Sequence, residues 1–400
     1  MDKSLDGKRF LVLYDNQYLT PRLRIQLATM VKRKVRVTLM RWFRNQEPLS
    51  SESGVTNVDV YVPGAFGKAS IILALPEVYL GMSRQAAKLD FDLIQVSSLT
   101  LLPLALYLSR KQRVPVIYDA YEFFTLHYAR HLGSLGKYMT GFFEMLEDRM
   151  VARADGCFCV DSQNKYILKR YQKVNSNCEV LNNYPLISHS NGNFDINKFQ
   201  LEEETAYLAH IGDFRLFHAA SQILEGFNIV RKRNQNVKLL LIGFKQANYG
   251  AADQLWREAM QQQGVRIIPF LPYAEMINLL KVTKLGFALI MQSGVYKNIG
   301  TGNSRKIYSY MEAGVPLLVS RHPMLESLIK ENDCGLVVDE SNPEAIAEAV
   351  GFLLDHPQEA ERMGANGREA FLQKYNWDKE EPKFWQVYQQ AMNLHEGLAR

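Results

Sequence analysis

The chain has 400 residues, of which 47% are hydrophobic and 22% charged, and it carries a net charge of +5. This composition excludes an intrinsically disordered protein, and the length favours two domains. Four cysteines exclude a disulfide framework, and no stretch has the ~20 consecutive apolar residues of a membrane-spanning helix. We therefore expect a globular cytoplasmic protein, in which Cys157 and Cys159 are packed in a core rather than bound to a metal.

The positive charge is unevenly distributed. Residues 1–187 hold 25 Lys and Arg against 17 Asp and Glu, whereas the remaining residues hold 22 against 25. Residues 16–46 contain eight basic residues and no acidic one. Such a stretch predicts contact with phospholipid, a lipid-linked diphosphate or nucleic acid, although a solvated helix face gives the same pattern. The eight residues are Arg22, Arg24, Lys32, Arg33, Lys34, Arg36, Arg41 and Arg44.

The first part of the chain alternates short β-rich apolar runs with longer amphipathic segments. This alternation predicts a parallel sheet flanked by helices. The polar stretch 188–204 that follows predicts an interdomain linker. The predicted strands are RFLVLYD, VRVTLMRW, FDLIQV, VPVIYDA, GCFCVD and CEVLNN, and the predicted helices lie around 22–33, 99–110, 137–154 and 163–171.

A second α/β series follows the linker. Two such series predict an α/β protein of two Rossmann-like domains, 1–187 and 205–375, with a terminal helix at 376–400 and ligands at the carboxyl ends of the strands. The strands are AYLAHIG, VKLLLIG, VRIIPF, LGFALIM, PLLVS and GLVVDE, and the helices 219–233, 251–262, 273–282, 305–313, 343–354 and 377–394.

The most informative segment is NIGTGNSRKIYSYMEAGVPLLVS. A glycine-rich loop leads into a helix that is capped by Asn303 or Ser304, and free N–H groups at a helix start bind anions such as a diphosphate. Arg305 and Lys306 put positive charge in the first turn, where the helix dipole alone disfavours it. This favours a phosphate site over an ordinary turn with solvent-exposed basic residues.

This segment resembles the K-x-x-E-Y-M-x-x-G-x-P donor-site motif of glycosyltransferase family 4 (glycosyl transferases group 1). Further stretches resemble the same family in the same order: ARADGCFCVD, the hinge-like VLNNYP, AHIG with Gly212, and NPEAIAEAV. VIYDAYEFF resembles a strand end that faces the acceptor in related enzymes. The motif positions are matched by Lys306, Tyr310, Met311, Gly314 and Pro316.

The resemblance implies the GT-B fold, two Rossmann-like domains facing each other across a cleft, with the C-terminal helix returning to the N-terminal domain. It implies a retaining, metal-independent transfer of a sugar from a nucleotide-diphosphate sugar, with no other cofactor. The acceptor is expected to be lipid-linked, a glycan or a protein, in bacterial cell-surface polysaccharide or glycolipid assembly. We expect a cytoplasmic enzyme, peripheral on the inner membrane face through residues 16–46, with no nucleic-acid partner. The donor residues implied are Gly212, Arg215, His218, Gly302, Asn303, Ser304, Lys306, Ser309 and Glu312.

Some positions depart from the family pattern. Two glutamates eight residues apart are common in the family, and Thr301 and Ser309 stand at those positions. Glu312 lies one helical turn beyond Ser309 and is a candidate replacement. Basic residues that face the donor phosphates in the family correspond to Asp213 and His218.

The acceptor side is also atypical. Tyr121 stands where the family carries a histidine, and His127 is a candidate substitute. Asp119 and Glu122, at a strand's carboxyl end, are candidates for orienting or deprotonating the acceptor hydroxyl, or else for a capping or packing role. Two alternatives to a glycosyltransferase therefore stay open, a non-catalytic GT-B relative that acts as a partner or glycan-binding subunit, and a nucleotide-sugar epimerase.

Overall fold

The computed structural model divides the chain into two compact units. The N-terminal unit comprises Met1–Asn183 with Glu380–Arg400, and the C-terminal unit comprises Tyr184–Lys379. The predicted domain boundaries lie at 187 and 376. The structure describes residues 5–44, 52–63, 71–125, 133–161, 165–188, 195–212, 214, 218–244, 254–291 and 304–399.

The N-terminal unit is built on a seven-stranded sheet in the order β3-β2-β1-β4-β5-β6-β7. Every pair of neighbours is parallel. The inner strands are almost entirely buried because both faces of the sheet are covered. The strands are β1 (Arg9–Tyr14), β2 (Arg36–Phe43), β3 (Val55–Tyr61), β4 (Leu93–Val96), β5 (Val116–Ala120), β6 (Gly156–Cys159) and β7 (Cys178–Val180).

Helices follow the strands of this sheet. The first begins where the Thr20 hydroxyl accepts a hydrogen bond from Leu23 N at 3.3 Å and Pro21 occupies the first position. The others bury apolar side chains in a core shared with the strands. The helices are α1 (Pro21–Lys32), α2 (Ile71–Ala86), α3 (Leu102–Gln112), α4 (Gly133–Val151) and α5 (Tyr166–Gln172).

The C-terminal unit has a six-stranded parallel sheet in the order β10-β9-β8-β11-β12-β13. Its strands are β8 (Ala206–Ile211), β9 (Val237–Phe244), β10 (Val265–Pro269), β11 (Thr283–Ala288), β12 (Leu317–Ser320) and β13 (Gly335–Val338). Its helices are α6 (Ala220–Arg233), α7 (Gln254–Gln261), α8 (Tyr273–Leu280), α9 (Arg305–Ala313), α10 (Pro323–Asn332), α11 (Pro343–Asp355) and α12 (Pro357–Gln373), and Ile196–Phe199 forms a 3-10 turn.

The last helix, α13 (Trp377–Ala399), begins in the C-terminal unit and continues in the N-terminal one. Phe384 stacks on Phe158 with ring centroids 5.6 Å apart, and Tyr388 stacks on Phe10 at 5.3 Å. The Glu380 carboxylate accepts a hydrogen bond from Asn182 N at 2.9 Å, and both residues belong to the N-terminal unit. The predicted return of this helix to the N-terminal domain is confirmed.

The cysteines include a disulfide that is not predicted from the sequence. Cys157 of β6 is the register partner of Cys178 of β7, and the two form a disulfide. Cys159 and Cys334 are buried free thiols. Cys157 and Cys159 are both fully buried in the core of the N-terminal unit, as predicted, and Cys157 is also covalently linked to its neighbouring strand.

None of the helices in the described parts of the chain is both long and apolar enough to cross a membrane.

Candidate functional site

The carboxyl edge of the C-terminal sheet is shaped by two glycines. Gly212 follows β8 with φ +79°, and Gly243 lies in β9 with φ +84°. Gly212 N donates a hydrogen bond to Ile242 O at 2.8 Å. Left-handed backbone suits glycine, and no described atom lies within 4 Å of a Cβ built at Gly212. The backbone here is therefore open to a ligand at the sheet edge where open α/β sheets bind them.

Helix α9 is fixed on this sheet by Tyr310. The Tyr310 hydroxyl accepts from Ile211 N at 3.1 Å and donates to Ala209 O at 3.0 Å. Its ring passes so close to Gly286 of β11 that a Cβ there would lie 2.2 Å from it. The motif tyrosine thus holds the start of α9 at the carboxyl edge of β8.

Lys306 and His210 meet at that edge. Lys306, half-buried in the first turn of α9, has its Nζ 3.3 Å from Nε2 of His210, which is fully buried in β8. The His210 ring lies edge-on to Phe214 at 5.0 Å and 6.1 Å from the ring of His218. The structure thus brings the predicted donor residues Lys306 and His218 together around His210. Sequence reasoning missed His210, although a histidine inside an apolar strand two positions before Gly212 is a usable signal.

The N-terminus of α9 lies beside this group. Ser304 is the N-cap residue in extended conformation, and its side chain makes no capping hydrogen bond within the described part of the chain. A side-chain cap would accept hydrogen bonds from the first-turn N–H groups. In its place, an anion can accept them. Of the other residues singled out from the sequence, Arg215, Gly302, Asn303, Thr301, Asp213 and His127 lie outside the described residues.

Glu312 makes two hydrogen bonds within the C-terminal unit. Only 2% of it is exposed, and its two carboxylate oxygens accept hydrogen bonds from Ser188 N and, at 2.6 Å, from the hydroxyl of Tyr273. Burial, followed by the charge of Glu312, raises the pKa of Tyr273, and Ser309 also hydrogen-bonds that hydroxyl. A donor contact by Glu312 or Ser309 stays a prediction that would require one of these bonds to be exchanged.

Arg305, also on α9, contacts the same tyrosine, Tyr273, that Glu312 binds. Its guanidinium carbon lies 5.6 Å from the ring centre of Tyr273, and burial lowers the pKa of Arg305. Nη1 of Arg305 is buried without a hydrogen-bond partner among the described residues. The first turn of α9 therefore carries two cationic side chains, one beside His210 and one beside Tyr273.

On the acceptor side, Asp119 has a packing role. It is 1% exposed at the end of β5, and its carboxylate binds Arg22 Nη2 at 2.5 Å and Gln26 Nε2 at 2.8 Å. Gln95 Nε2 donates to Gln26 Oε1 at 2.8 Å, and Tyr388 of α13 donates to Gln95. This buried network matches the packing alternative for Asp119, and a direct role with the acceptor stays a prediction.

Glu122 and Tyr121 follow the same strand, β5, but unlike Asp119 they are not buried. Glu122 is exposed, and desolvation by surrounding groups, followed by the negative charge of Asp15, raises its pKa. Asp15 directly follows β1, and burial raises its pKa as well, against the effect of Arg44. Tyr121 is half-buried with its ring edge-on to Phe124 at 5.2 Å. A carboxyl group of raised pKa that reaches solvent suits proton transfer better than the buried Asp119.

The basic residues of the stretch 16–46 differ in their exposure and in their partners. Lys32, Lys34 and Arg36 are exposed at the end of α1 and the start of β2. Half of the eight basic residues are instead bound within the N-terminal unit, so the exposed positive charge is smaller than the sequence indicates. These are Arg22 with Asp119, Arg24 with Glu52, Arg41 with Asp59 at 2.8 Å, and Arg44 with the carbonyl of Asp15 at 2.7 Å.

Among the residues that the structure describes there is no group of three or more His, Cys, Asp or Glu that could hold a metal ion. Independence from metal stays a prediction.

Comparison with known proteins gives one family and several structures of the same fold. Residues 192–370 match the family model of glycosyl transferases group 1. The MMP alpha-(1->4)-mannosyltransferase of Mycolicibacterium hassiacum is 28% identical over 83 residues, so the match spans only 20% of either chain. Sucrose-phosphate synthase from Thermosynechococcus elongatus aligns with a TM-score of 0.68 at 15% identity, over 97% of this chain and 100% of that one. HepE from Anabaena, solved with UDP and glucose, aligns at 0.65 and 12% identity, over 98% and 100%.

These matches confirm the fold and the family resemblance predicted from the sequence. Both structural relatives align with nearly the whole chain, including both sheets. The family match lies within the unit that carries Lys306 and Gly212. The chain therefore has the GT-B fold, and residues 192–370 of its C-terminal unit match the family model of glycosyl transferases group 1.

Proposed function

We propose that the protein is a glycosyltransferase that moves a sugar from a nucleotide-diphosphate sugar to an acceptor hydroxyl. The observation that carries this proposal is the contact of Lys306 with His210, at the N-terminus of α9 and beside the open backbone of Gly212. A helix start and a lysine together suit a diphosphate. HepE, which has the same fold, was solved in complex with UDP-glucose and supports this choice of donor class.

The chemistry asked of this site is stabilisation of a leaving group. As the bond between the anomeric carbon and the phosphate oxygen breaks, negative charge develops on the diphosphate. In this proposal the Lys306 ammonium and the first-turn N–H groups of α9 stabilise that charge, and each such donor contributes about 2.7–4 kcal/mol. We therefore propose that the leaving group is stabilised without a metal ion or other cofactor. We also propose retention at the anomeric carbon, which the family resemblance implies.

The acceptor hydroxyl would lose its proton to a carboxylate. We assign this role to Glu122, because the residue is exposed and the pKa of its carboxyl is raised, with Tyr121 as its neighbour. The acceptor class proposed is a lipid-linked, glycan or protein hydroxyl, in bacterial cell-surface polysaccharide or glycolipid assembly. A lipid-linked acceptor would place the enzyme at the cytoplasmic face of a membrane.

The test is transfer and hydrolysis measured with a panel of nucleotide-sugars, first ranked by the thermal shift that each produces. Lys306→Ala is expected to lower turnover at least about tenfold, because it removes one electrostatic donor. Lys330→Ala, a change of the same kind at an exposed position of α10, is the matched control. Near-normal turnover by a folded Lys306→Ala protein would refute the site.

A non-catalytic GT-B relative is the second candidate. The observation in its favour is that Glu312, the candidate for the missing family glutamate, has both oxygens bound to Ser188 and Tyr273. Such a protein would be stabilised by nucleoside diphosphates without turning over any donor. Conversion of the donor sugar in the absence of an acceptor would instead identify an epimerase.

A further inference from the structure

Helix α4 presents a strip of apolar side chains to solvent. Tyr138, Phe142, Met145 and Leu146 are 87%, 49%, 40% and 36% exposed. Their spacing of four, three and one residues puts them on one face of the helix. A single exposed apolar residue is ordinary, but a continuous strip of them marks a contact surface. We call these four residues the α4 face.

The acidic residues of α4 point away from the α4 face. Arg170 of α5 holds all three of them, with Nη1 3.1 Å from Glu144 Oε1, Nε 2.7 Å from Asp148 Oδ1, and Nη2 bound to Glu147. Arg170 is 9% exposed, so these ion pairs lie largely beneath the surface, between α4 and α5. The carboxylates of α4 are therefore neutralised on the side of the helix opposite to the exposed strip.

Basic residues border the α4 face. Arg149 lies one turn beyond Met145 and is exposed, and Arg153 follows just after the helix, with its guanidinium 3.3 Å from Arg149 O. The surface thus combines aromatic rings with arginines.

We propose that the α4 face docks on the surface of a lipid bilayer that contains anionic lipids. Tyr138 and Phe142 would enter the headgroup region, and Arg149 and Arg153 would meet lipid phosphates, which is how amphipathic helices of this composition bind. A second copy of the chain suits this surface less, because two cationic faces repel each other. The inference rests on the proposed function in one respect, since it brings an enzyme for a lipid-linked acceptor to the membrane. It assigns the contact to α4 rather than to residues 16–46.

The test is co-sedimentation of the full chain with vesicles of phosphatidylcholine, alone or mixed with phosphatidylglycerol. The wild type is expected to bind only the mixed vesicles, and less as salt is added, because the attraction is partly electrostatic. Phe142→Glu and Arg149→Glu are each expected to lower the affinity at least about tenfold. Two controls are expected to bind like the wild type. Met260→Glu makes the same kind of change on α7, and Arg36→Glu the same charge change in the basic stretch.

Each other outcome overturns the inference. Equal binding to neutral and anionic vesicles removes the role of the arginines, and loss of binding in Arg36→Glu but not in Phe142→Glu returns the contact to residues 16–46. Self-association of the wild type, lost in Phe142→Glu by light scattering, assigns the α4 face to a second copy. Donor turnover without vesicles separates the two proposals: if no protein turns over any donor, the proposed function fails while the vesicle result stands.

Discussion

At the scale of single residues, the contact between Lys306 and His210 determines what each side chain can do. An ammonium group only donates hydrogen bonds, so a charged Lys306 donates to Nε2 of His210. This contact directs the Lys306 side chain. The burial of His210 in β8 makes this direction rigid.

Replacing His210 tests this positioning role. His210→Phe keeps an aromatic ring but removes the acceptor, and we expect kcat/KM for the donor to fall about tenfold, because a hydrogen bond to a charged group is lost. The loss should appear mainly in KM if Lys306 binds the ground-state diphosphate. His210→Gln, whose amide oxygen can accept from Lys306, should restore part of it.

The control for this experiment is His356→Phe, at an exposed position after α11. Steady-state kinetics and thermal denaturation are measured on all three variants. A lower Tm for His210→Phe with unchanged kcat/KM would reduce His210 to a packing residue.

At the scale of elements, the buried network around Asp119 joins pieces that are far apart in the sequence. Arg22 of α1 reaches both Asp119 of β5 and the carbonyl of Leu181 after β7. Gln95 of β4 extends the network to Tyr388 of α13. Every member gives up contact with water, so the network is stable only when all of it is assembled.

Asp119→Ala should therefore affect stability. Removing one partner leaves the Arg22 guanidinium buried and uncompensated, and we expect the free energy of unfolding to fall by about 3–5 kcal/mol in denaturant titrations. Glu359→Ala breaks an exposed ion pair with Arg362 and should leave the free energy of unfolding nearly unchanged, because solvent screens such a pair. If Asp119→Ala keeps its stability but loses sugar transfer, Asp119 belongs to the acceptor chemistry instead.

The elements that the sequence predicts are those with a clear pattern. The buried strands β1 and β8, next to the centre of each sheet, are mainly apolar, and α11 has its Asn342 cap, whose Oδ1 accepts from Glu344 N at 3.0 Å. Four elements were not predicted. In β3, at the sheet edge, polar residues alternate with valines; α2 contains Pro76; and α12 contains Gly364, where a Cβ would lie 2.2 Å from Gly314 O. The fourth, α10, is a short helix between two strands.

The candidate site, like the fold, could be predicted from the sequence only in part. Lys306 could be predicted because it stands in a motif, and Tyr310 because the same motif carries it. The meeting of Lys306 with His210 depends on how α9 is pressed on β8, which no local pattern records. Likewise, a carboxylate at a strand end looks the same in the sequence whether it is exposed, as Glu122 is, or buried against Arg22, as Asp119 is.

At the scale of the whole molecule, the two units have separate cores, and α13 belongs mostly to the N-terminal one. Tyr388 is fully buried, stacks on Phe10 and donates to Gln95. The stability of the N-terminal unit therefore depends on residues that follow the whole C-terminal unit in the sequence.

Calorimetry can separate the two units. Tyr388→Ala should cost the N-terminal unit about 3–5 kcal/mol, as for other large aromatic side chains removed from a core. We expect it to lower one unfolding transition, while the nucleotide-sugar that gives the largest thermal shift should raise the other if it binds to the C-terminal unit. Leu394→Ala, on the same helix but 53% exposed, should change neither. A single transition that both Tyr388→Ala and this nucleotide-sugar shift would show that the units unfold together.

The position of α13 also has a consequence for biosynthesis. The ribosome makes β1 to β7 first, but the helix that covers Phe10 and Phe158 is translated only after the entire C-terminal unit. During that interval the nascent N-terminal unit carries uncovered aromatic side chains, which is the condition under which a growing chain engages chaperones or aggregates. The unit translated first is thus the one that finishes folding last.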